Sequence, residues 1–111
     1  MKRLAITQLA AGFGLCASLA VFGAGDEFRV VIENHRFAPE RLEVPAGRKV
    51  RLVVENRDAA AEEFESRALN REKVIPGKSS ATIAIGPLKP GEYPFVGEFN
   101  EKTAKGVIVA K

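Results

Sequence analysis

The chain has 111 residues, of which 28% are charged, and a formal net charge of +3 at pH 7. That length suffices for one domain of ordinary size and no more. Its only cysteine is Cys16 and its only methionine is Met1. A disulfide within the chain is therefore excluded, and so is a structural zinc site built from several cysteines.

The first segment has the layout of a secretory signal peptide. A start with two positive charges is followed by 22 uncharged residues, rich in Ala, Leu and Gly, which end at Gly25. Small residues close this segment, and cleavage is predicted after Gly23 or after Gly25. Residues 1–23 are thus expected to be the signal peptide and 24–111 the mature domain, which would be periplasmic.

This segment has two alternative interpretations. A lipoprotein signal is excluded, because the bulky Leu15 precedes Cys16 where a small residue is needed. An uncleaved membrane anchor is the remaining alternative, since a segment of this length can cross roughly 30 Å of hydrocarbon. Its many Gly and Ala residues make it a weak membrane span.

Removal of the leader brings the charge close to neutral, with 15 basic and 14 acidic residues left. The basic character of the whole chain therefore says little about its partners. No basic cluster interleaved with aromatic residues is left in the mature part, so a nucleic acid partner is not expected.

Apolar and polar residues alternate along most of the mature chain, which predicts short β-strands. The alternating segments are 28–33, 42–44, 50–55, 81–85, 93–95 and 107–109. Turn residues such as Pro, Gly and Asn separate them. We therefore predict an all-β fold, an antiparallel Greek-key β-sandwich of about seven strands. Segment 59–78 alternates weakly and is expected to hold one short strand or a helical turn.

The hexapeptide 88–93 resembles the corner found in many β-sandwiches. In that corner a tyrosine hydroxyl bonds back to the connection before it. Tyr93 is therefore predicted to have a structural role.

Carboxylates are the side chains with which the mature chain could bind a metal, since it has neither a thiol nor a thioether. The candidate ligands are Glu63, Glu65, Glu72, Glu98 and Glu101, with His35 as the single nitrogen donor. In an extended strand Glu63 and Glu65 share one face and Phe64 points to the other. Like charges at that spacing repel unless a cation lies between them. Carboxylates suit hard cations such as oxidised iron, manganese and calcium, and His35 would shift the preference towards iron or copper.

Each candidate also has a structural interpretation. Arg67, Arg71 and Lys73 are close in sequence to the glutamates and could neutralise them as an ordinary charged surface, each exposed pair contributing only ~0–1 kcal/mol. His35 lies in a turn, where a solvent-exposed imidazole is the default. The aromatic residues 95 and 99 are expected to pack in the core or against a loop. No Ser-His-Asp order, reactive thiol or phosphate loop indicates an enzyme.

Several blocks of the mature chain together resemble the cupredoxin family. They are residues 37–47, 53–56, 87–93 and 97–100. The resemblance is to a small exported branch in particular, the EfeO-type domain that accompanies bacterial iron-uptake permeases and related metal transport. Glu-Glu-Phe-Glu-Ser at 62–66 and Asn-Arg-Glu-Lys at 70–73 match that branch. The resemblance covers nearly the whole mature chain and implies a cupredoxin-like sandwich.

The chain departs from the blue-copper pattern of the family at the ligand positions. A blue-copper protein would carry a Cys, a His and usually a Met in the last loop, and the matching places hold Gly97, Asn100 and, roughly, Ala104. The place of the first His, just past the third predicted strand, is taken by the Glu-Phe-Glu group at 63–65. The resemblance therefore implies the scaffold without a type 1 copper centre.

The function implied by the resemblance is that of a periplasmic accessory of a metal transport system, handling iron or copper ions. Glu63 and Glu65 are the expected ligands, with His35, Glu72 and Glu98 as further candidates. The partners would be the ion and a membrane metal permease or its periplasmic partner. The alternative is a metal-free β-sandwich that serves as a docking module for a membrane or periplasmic protein.

Overall fold

The computed structural model describes residues 26–111, so the predicted signal peptide and its cleavage sites lie outside the described residues. The strands are β1 Glu27–Glu33, β2 Arg36–Ala38, β3 Arg41–Val44, β4 Val50–Asn56, β5 Glu62–Ser66, β6 Arg71–Ile75, β7 Ser79–Ile85, β8 Gly91–Gly97 and β9 Lys105–Ala110. A short 3-10 turn, Glu98–Asn100, follows β8. Over the described range there is no helix with the length and apolarity needed to cross a membrane.

The strands form two sheets, with the orders β2-β1-β4-β7 and β3-β9-β8-β5-β6. The predicted all-β sandwich is confirmed. The predicted antiparallel pairing holds for five of the seven strand pairs within residues 26–111. It was wrong for the other two, because β1 pairs with β4 and β3 with β9 in parallel. The chain leaves each sheet and returns to it between these partners, as a parallel pair requires. Alternation reveals which face of a strand is buried but not the direction of its neighbour.

The core lies between the sheets and is built from the alternate residues of the strands. Val30, Ile32 and Val54 are fully buried, as the alternation predicts. Phe64 and Phe95 stack with ring centroids 4.9 Å apart, and Phe37 meets Phe95 edge-on at 4.8 Å. Such aromatic pairs add about 0.5–1.5 kcal/mol beyond the burial of their area. These three aromatic rings pack together at the inner face of β5.

Segment 59–78 holds two strands where one strand or a helical turn was predicted. β5 and β6 form an antiparallel hairpin, and the four residues 71–74 at the start of β6 are all exposed. β6 is an edge strand with only Ile75 buried. Because both faces of β6 are exposed over residues 71–74, its sequence does not alternate between apolar and polar residues, and the strand could not be predicted from that pattern.

Two polar side chains, those of Tyr93 and Asn56, fix connections between strands. The Tyr93 hydroxyl donates a hydrogen bond of 2.7 Å to the Lys89 carbonyl, which confirms the predicted tyrosine corner. The buried Asn56 amide donates to the carbonyls of Ala60 and Ile75, at 2.9 and 3.1 Å. The loop between β4 and β5 is thereby tied to the end of β6, which fixes where β5 begins.

Candidate metal centre

The outer face of the β5–β6 hairpin carries a row of carboxylates. Phe64 is fully buried, whereas Glu63 and Glu65 on either side of it are half-buried and face away from the core. Glu65 is in register with Glu72 of β6. The sequence prediction that residues 63 and 65 share a face opposite Phe64 is confirmed.

The turn after β8 brings a third carboxylate to this face. The β5–β8 ladder pairs Glu65 with Val96 and Phe64 with Gly97. Glu98 comes directly after the last paired residue of β8, and Glu63 comes directly before the first paired residue of β5. One carboxylate oxygen each of Glu63, Glu72 and Glu98 lies within 4.8 Å of the other two. We call these three residues the acidic cluster. Three of the five predicted ligands are thus close enough to share one cation.

The electrostatic environment of the cluster disfavours its negative charge. Burial raises the pKa of the Glu63 carboxyl from an ordinary 4.5 to about 7, and a hydrogen bond and the charge of Glu72, with the charge of Glu98, add to the shift. Burial also raises the pKa of Glu65, helped by Glu98 and Glu72, while Arg67 lowers it. A cation bound among these oxygens would relieve the repulsion.

Arg67 lies near Glu65, but the basic side chains expected to neutralise the glutamates form no ion pair with the acidic cluster. Among residues 26–111, no ion pair within 4.0 Å joins Glu63, Glu72 or Glu98 to a lysine or arginine. The Arg71 guanidinium instead donates to the backbone carbonyls of Asn70 and Ala84, at 2.9 and 2.8 Å. The interpretation that arginine and lysine side chains neutralise these glutamates as an ordinary charged surface therefore loses its main support.

His35 is placed apart from the acidic cluster. Its imidazole lies half-exposed in the β1–β2 turn, with Nδ1 3.6 Å from a carboxylate oxygen of Asp58. Its carbonyl accepts a 2.6 Å hydrogen bond from the Thr103 hydroxyl, so the β1–β2 turn does contact the loop after Glu98–Asn100. The imidazole itself is not among the grouped donors.

Sequence reasoning missed Glu62, a residue that is only 1% exposed. One carboxylate oxygen accepts hydrogen bonds of 2.8 Å from the backbone amides of Glu63 and Phe99, and the other accepts one of 2.8 Å from the Asn100 side chain. The signal was available, because the alternation that turns Glu63 outward turns Glu62 inward beside Phe64.

Comparison with known proteins identifies the family. The profile of the cupredoxin-like domain matches residues 5–110, nearly the whole chain. The chain belongs to the cupredoxin-like domain family. An uncharacterised protein of Rickettsia prowazekii is 43% identical over 83 residues, which are 75% of this chain and 66% of that protein. This chain therefore spans just under two thirds of the length of that relative.

Solved structures share the fold of this cupredoxin-like domain. Auracyanin from Roseiflexus castenholzii has a TM-score of 0.64 at 16% identity, over 78% of this chain and 97% of its own. Amicyanin from Paracoccus versutus has a TM-score of 0.60 at 13% identity, over 78% and 82%. A chain of a heme-copper terminal oxidase dimer has a TM-score of 0.66 at 14% identity, over 80% and 67%. Likeness at these identities concerns the fold alone.

In this cupredoxin-like domain, Glu62 fills the space beside the last loop. A Cβ atom added at Gly97 would lie 2.7 Å from the Glu62 Cδ and 2.7 Å from the Ala104 Cβ. The Glu62 carboxyl group thus lies next to Gly97 and accepts a hydrogen bond from Asn100. Of the 63–65 group predicted at the place of the first His, Phe64 pairs with Gly97 through the backbone ladder.

The aromatic residues of this region divide between core and surface. Phe95 is buried, as predicted. The prediction that Phe99 packs in the core or against a loop was wrong, because its ring is 55% exposed. Phe99 lies in the 3-10 turn, where its backbone amide donates a hydrogen bond to Glu62. The acidic cluster therefore has an apolar side chain next to it in the chain.

Proposed function

We propose that this cupredoxin-like domain binds an iron or copper ion through the acidic cluster, as a periplasmic accessory of a metal transport system. The observation that carries the proposal is the approach of carboxylate oxygens from Glu63, Glu72 and Glu98 to within 4.8 Å of one another. Three separate elements, β5, β6 and the turn after β8, supply the three oxygens. Glu65, which interacts with Glu72 and Glu98, is a neighbouring fourth carboxylate.

The type of donor supports a hard ion. Carboxylates prefer oxidised iron, manganese and similar cations, whereas an imidazole would favour copper. Because the His35 ring lies against Asp58 and outside the cluster, oxidised iron suits this site better than copper. We propose no catalytic role for the site, and the partners of the domain would be the ion and a membrane permease or its periplasmic partner.

A type 1 copper centre is not part of the proposal, because the residues do not fit one. Such a centre needs a thiolate, with imidazole ligands and a weak axial thioether. By the resemblance to the blue-copper pattern, the places of the ligands hold Gly97, Asn100 and, roughly, Ala104. The Glu62 carboxyl group lies next to Gly97. We expect no intense visible absorption band when copper(II) is added to the protein.

Calorimetric titration of the purified protein with Mn(II), Cu(II) and chelated Fe(III) tests the proposal. Mn(II) serves as the probe for hard divalent ions. The variant Glu63→Gln/Glu98→Gln removes two cluster charges, and Glu40→Gln is the control, an exposed carboxylate on the β2–β3 connection. Saturable 1:1 binding that the double variant loses and the control keeps would support the acidic cluster. Absence of binding by the folded wild-type protein would refute it.

The second candidate function is a metal-free docking module, and the exposure of apolar side chains beside the cluster favours it. Phe99 is 55% exposed and Val74 on β6 is 49% exposed. Exposed apolar residues next to charged ones are common at protein interfaces. The same titration separates the two functions, because a docking module would bind none of the three ions and would keep its fold.

A further inference from the structure

Glu62 joins β5 to the turn that carries Glu98. Its carboxylate accepts one hydrogen bond from Glu63 and two from the turn, namely those of the Phe99 amide and the Asn100 side chain. Glu63, whose own amide is one of the donors, and Glu98, which precedes Phe99 in the chain, both belong to the acidic cluster. A single buried side chain is therefore bonded next to two of the three candidate ligands.

The backbone ladder between β5 and β8 stops short of those two ligands. The β5–β8 pairing ends at Phe64 and Gly97, which are the chain neighbours of Glu63 and Glu98. On its other side, the turn is closed by the Asn100 carbonyl, which accepts from the Ala104 amide at 2.8 Å. The Glu62 carboxylate thus provides the cross-connection at the point where the strands stop pairing.

We infer that Glu62 is a positioning residue, which sets the distance between the Glu63 and Glu98 carboxylates without binding the ion itself. The inference rests on the proposed function, since it assigns Glu62 a role in the same site. Groups that orient metal ligands through hydrogen bonds commonly change metal affinity by about 10–100-fold when they are removed. The placement of Glu62 also explains why a buried carboxylate occurs in this core at all.

The contact between Glu62 and Asn100 offers a reciprocal test. Asn100→Asp would place a second carboxylate against that of Glu62, and the repulsion should release the turn. In Glu62→Gln/Asn100→Asp the Gln amide can donate to the new carboxylate, while its carbonyl oxygen still accepts from the Glu63 and Phe99 amides. The double variant has the net charge of the wild type. Asn70→Asp is the control, because it adds the same charge in the β5–β6 turn.

Two measurements are made on protein purified from cells that express the full sequence. Without metal, ¹⁵N relaxation and hydrogen exchange report the order of the turn 98–100 and the protection of the Phe99 amide. With metal, calorimetry gives the Mn(II) affinity. We expect Asn100→Asp to lose the order, the protection and about tenfold or more of the affinity. The double variant and the Asn70→Asp control should retain all three.

The direction of the change distinguishes positioning from a simple effect of charge. An added carboxylate should raise the affinity for a cation on electrostatic grounds alone, so a gain in Asn100→Asp would overturn the inference. Unchanged order of the turn in that variant would also overturn it. If wild-type protein binds no Mn(II), the proposed function fails, and loss of turn order that the double variant restores would still support the connection through Glu62. If Asn100→Asp does not fold, Asn100→Ala, which removes a single hydrogen bond, replaces it in both measurements.

Discussion

Glu65 on β5 and Glu72 on β6 lie directly opposite each other in the antiparallel hairpin. Like charges in this arrangement destabilise a sheet, whereas unlike charges stabilise it. Lys73 and Arg71 on the same strand could have supplied the opposite charge but occupy other register positions. The hairpin thus keeps a repulsion between two carboxylates, which a surface selected for stability alone would lack. Binding sites often keep such destabilising features because function requires them.

The first prediction concerns stability against pH. Glu63 has a pKa of about 7 in the folded protein, above its ordinary value of 4.5, so the folded protein holds this proton more tightly than the unfolded chain does. The resulting stability is present below about pH 4.5 and is lost as the pH rises towards 7. Glu63→Gln should therefore match the wild type near pH 4 and exceed its melting temperature at pH 8 without metal.

Thermal melts across this pH range check the prediction, with Glu40→Gln as the charge-matched control. The control should follow the wild-type curve at every pH. Equal melting temperatures of Glu63→Gln and wild type at pH 8 would contradict the placement of Glu63 among repelling carboxylates.

The second prediction concerns metal affinity. A cation must displace the proton that Glu63 still holds below pH 7. The Mn(II) affinity should therefore rise by about tenfold per pH unit between pH 5 and 7, for one displaced proton, and then level off. Calorimetry in buffers of different ionisation enthalpy would measure the released proton. Affinity independent of pH over this range would exclude Glu63 as a ligand.

The third prediction concerns the buried side-chain amide of Asn56, which donates hydrogen bonds to the loop before β5 and to the end of β6. Asn56→Ala would leave the buried Ile75 carbonyl without this donor. The loss should lower the free energy of unfolding by about 1–3 kcal/mol. Urea denaturation measures the loss, and the exposed Ser80→Ala on β7 should have little effect. A value near zero would mean that water or another donor replaces the amide.

The fourth prediction concerns the close packing at Gly97. A methyl group there would meet the Glu62 and Ala104 side chains at 2.7 Å, closer than non-bonded carbons approach. Gly97→Ala should destabilise the protein by about 1–3 kcal/mol, as overpacking does. Gly47→Ala is the contrasting variant, since its Cβ would meet nothing within 4 Å and only its positive φ of 82° opposes the change. Denaturation of both variants separates steric overlap from backbone strain.

Sequence patterns predicted the parts of this fold that depend on local alternation. The strands around Val30 and Val54, the inward Phe64 and the tyrosine corner at Tyr93 all follow from period-2 burial or a local motif. The parallel pairings and the edge strand β6 did not, because alternation carries no information about strand direction and fails where both faces are exposed.

The candidate site was predictable only in its residue types. Carboxylates at 63, 72 and 98 were expected ligands, but their approach depends on the hairpin register and on where the β5–β8 ladder ends. His35 was an equally reasonable donor by type, yet its turn directs the ring to Asp58. Glu62 was not predicted as part of the site, although the alternation that turns Glu63 and Glu65 outward turns Glu62 inward.

The most direct test of a metal site at the acidic cluster is anomalous diffraction from crystals grown with Mn(II). We predict an anomalous peak bounded by carboxylate oxygens of Glu63, Glu72 and Glu98, at metal–oxygen distances of about 2.0–2.6 Å. The peak should be absent in crystals of Glu63→Gln/Glu98→Gln grown in the same way. A fully occupied Mn(II) elsewhere on the domain, or a wild-type cluster without density for the ion at saturating Mn(II), would contradict the account.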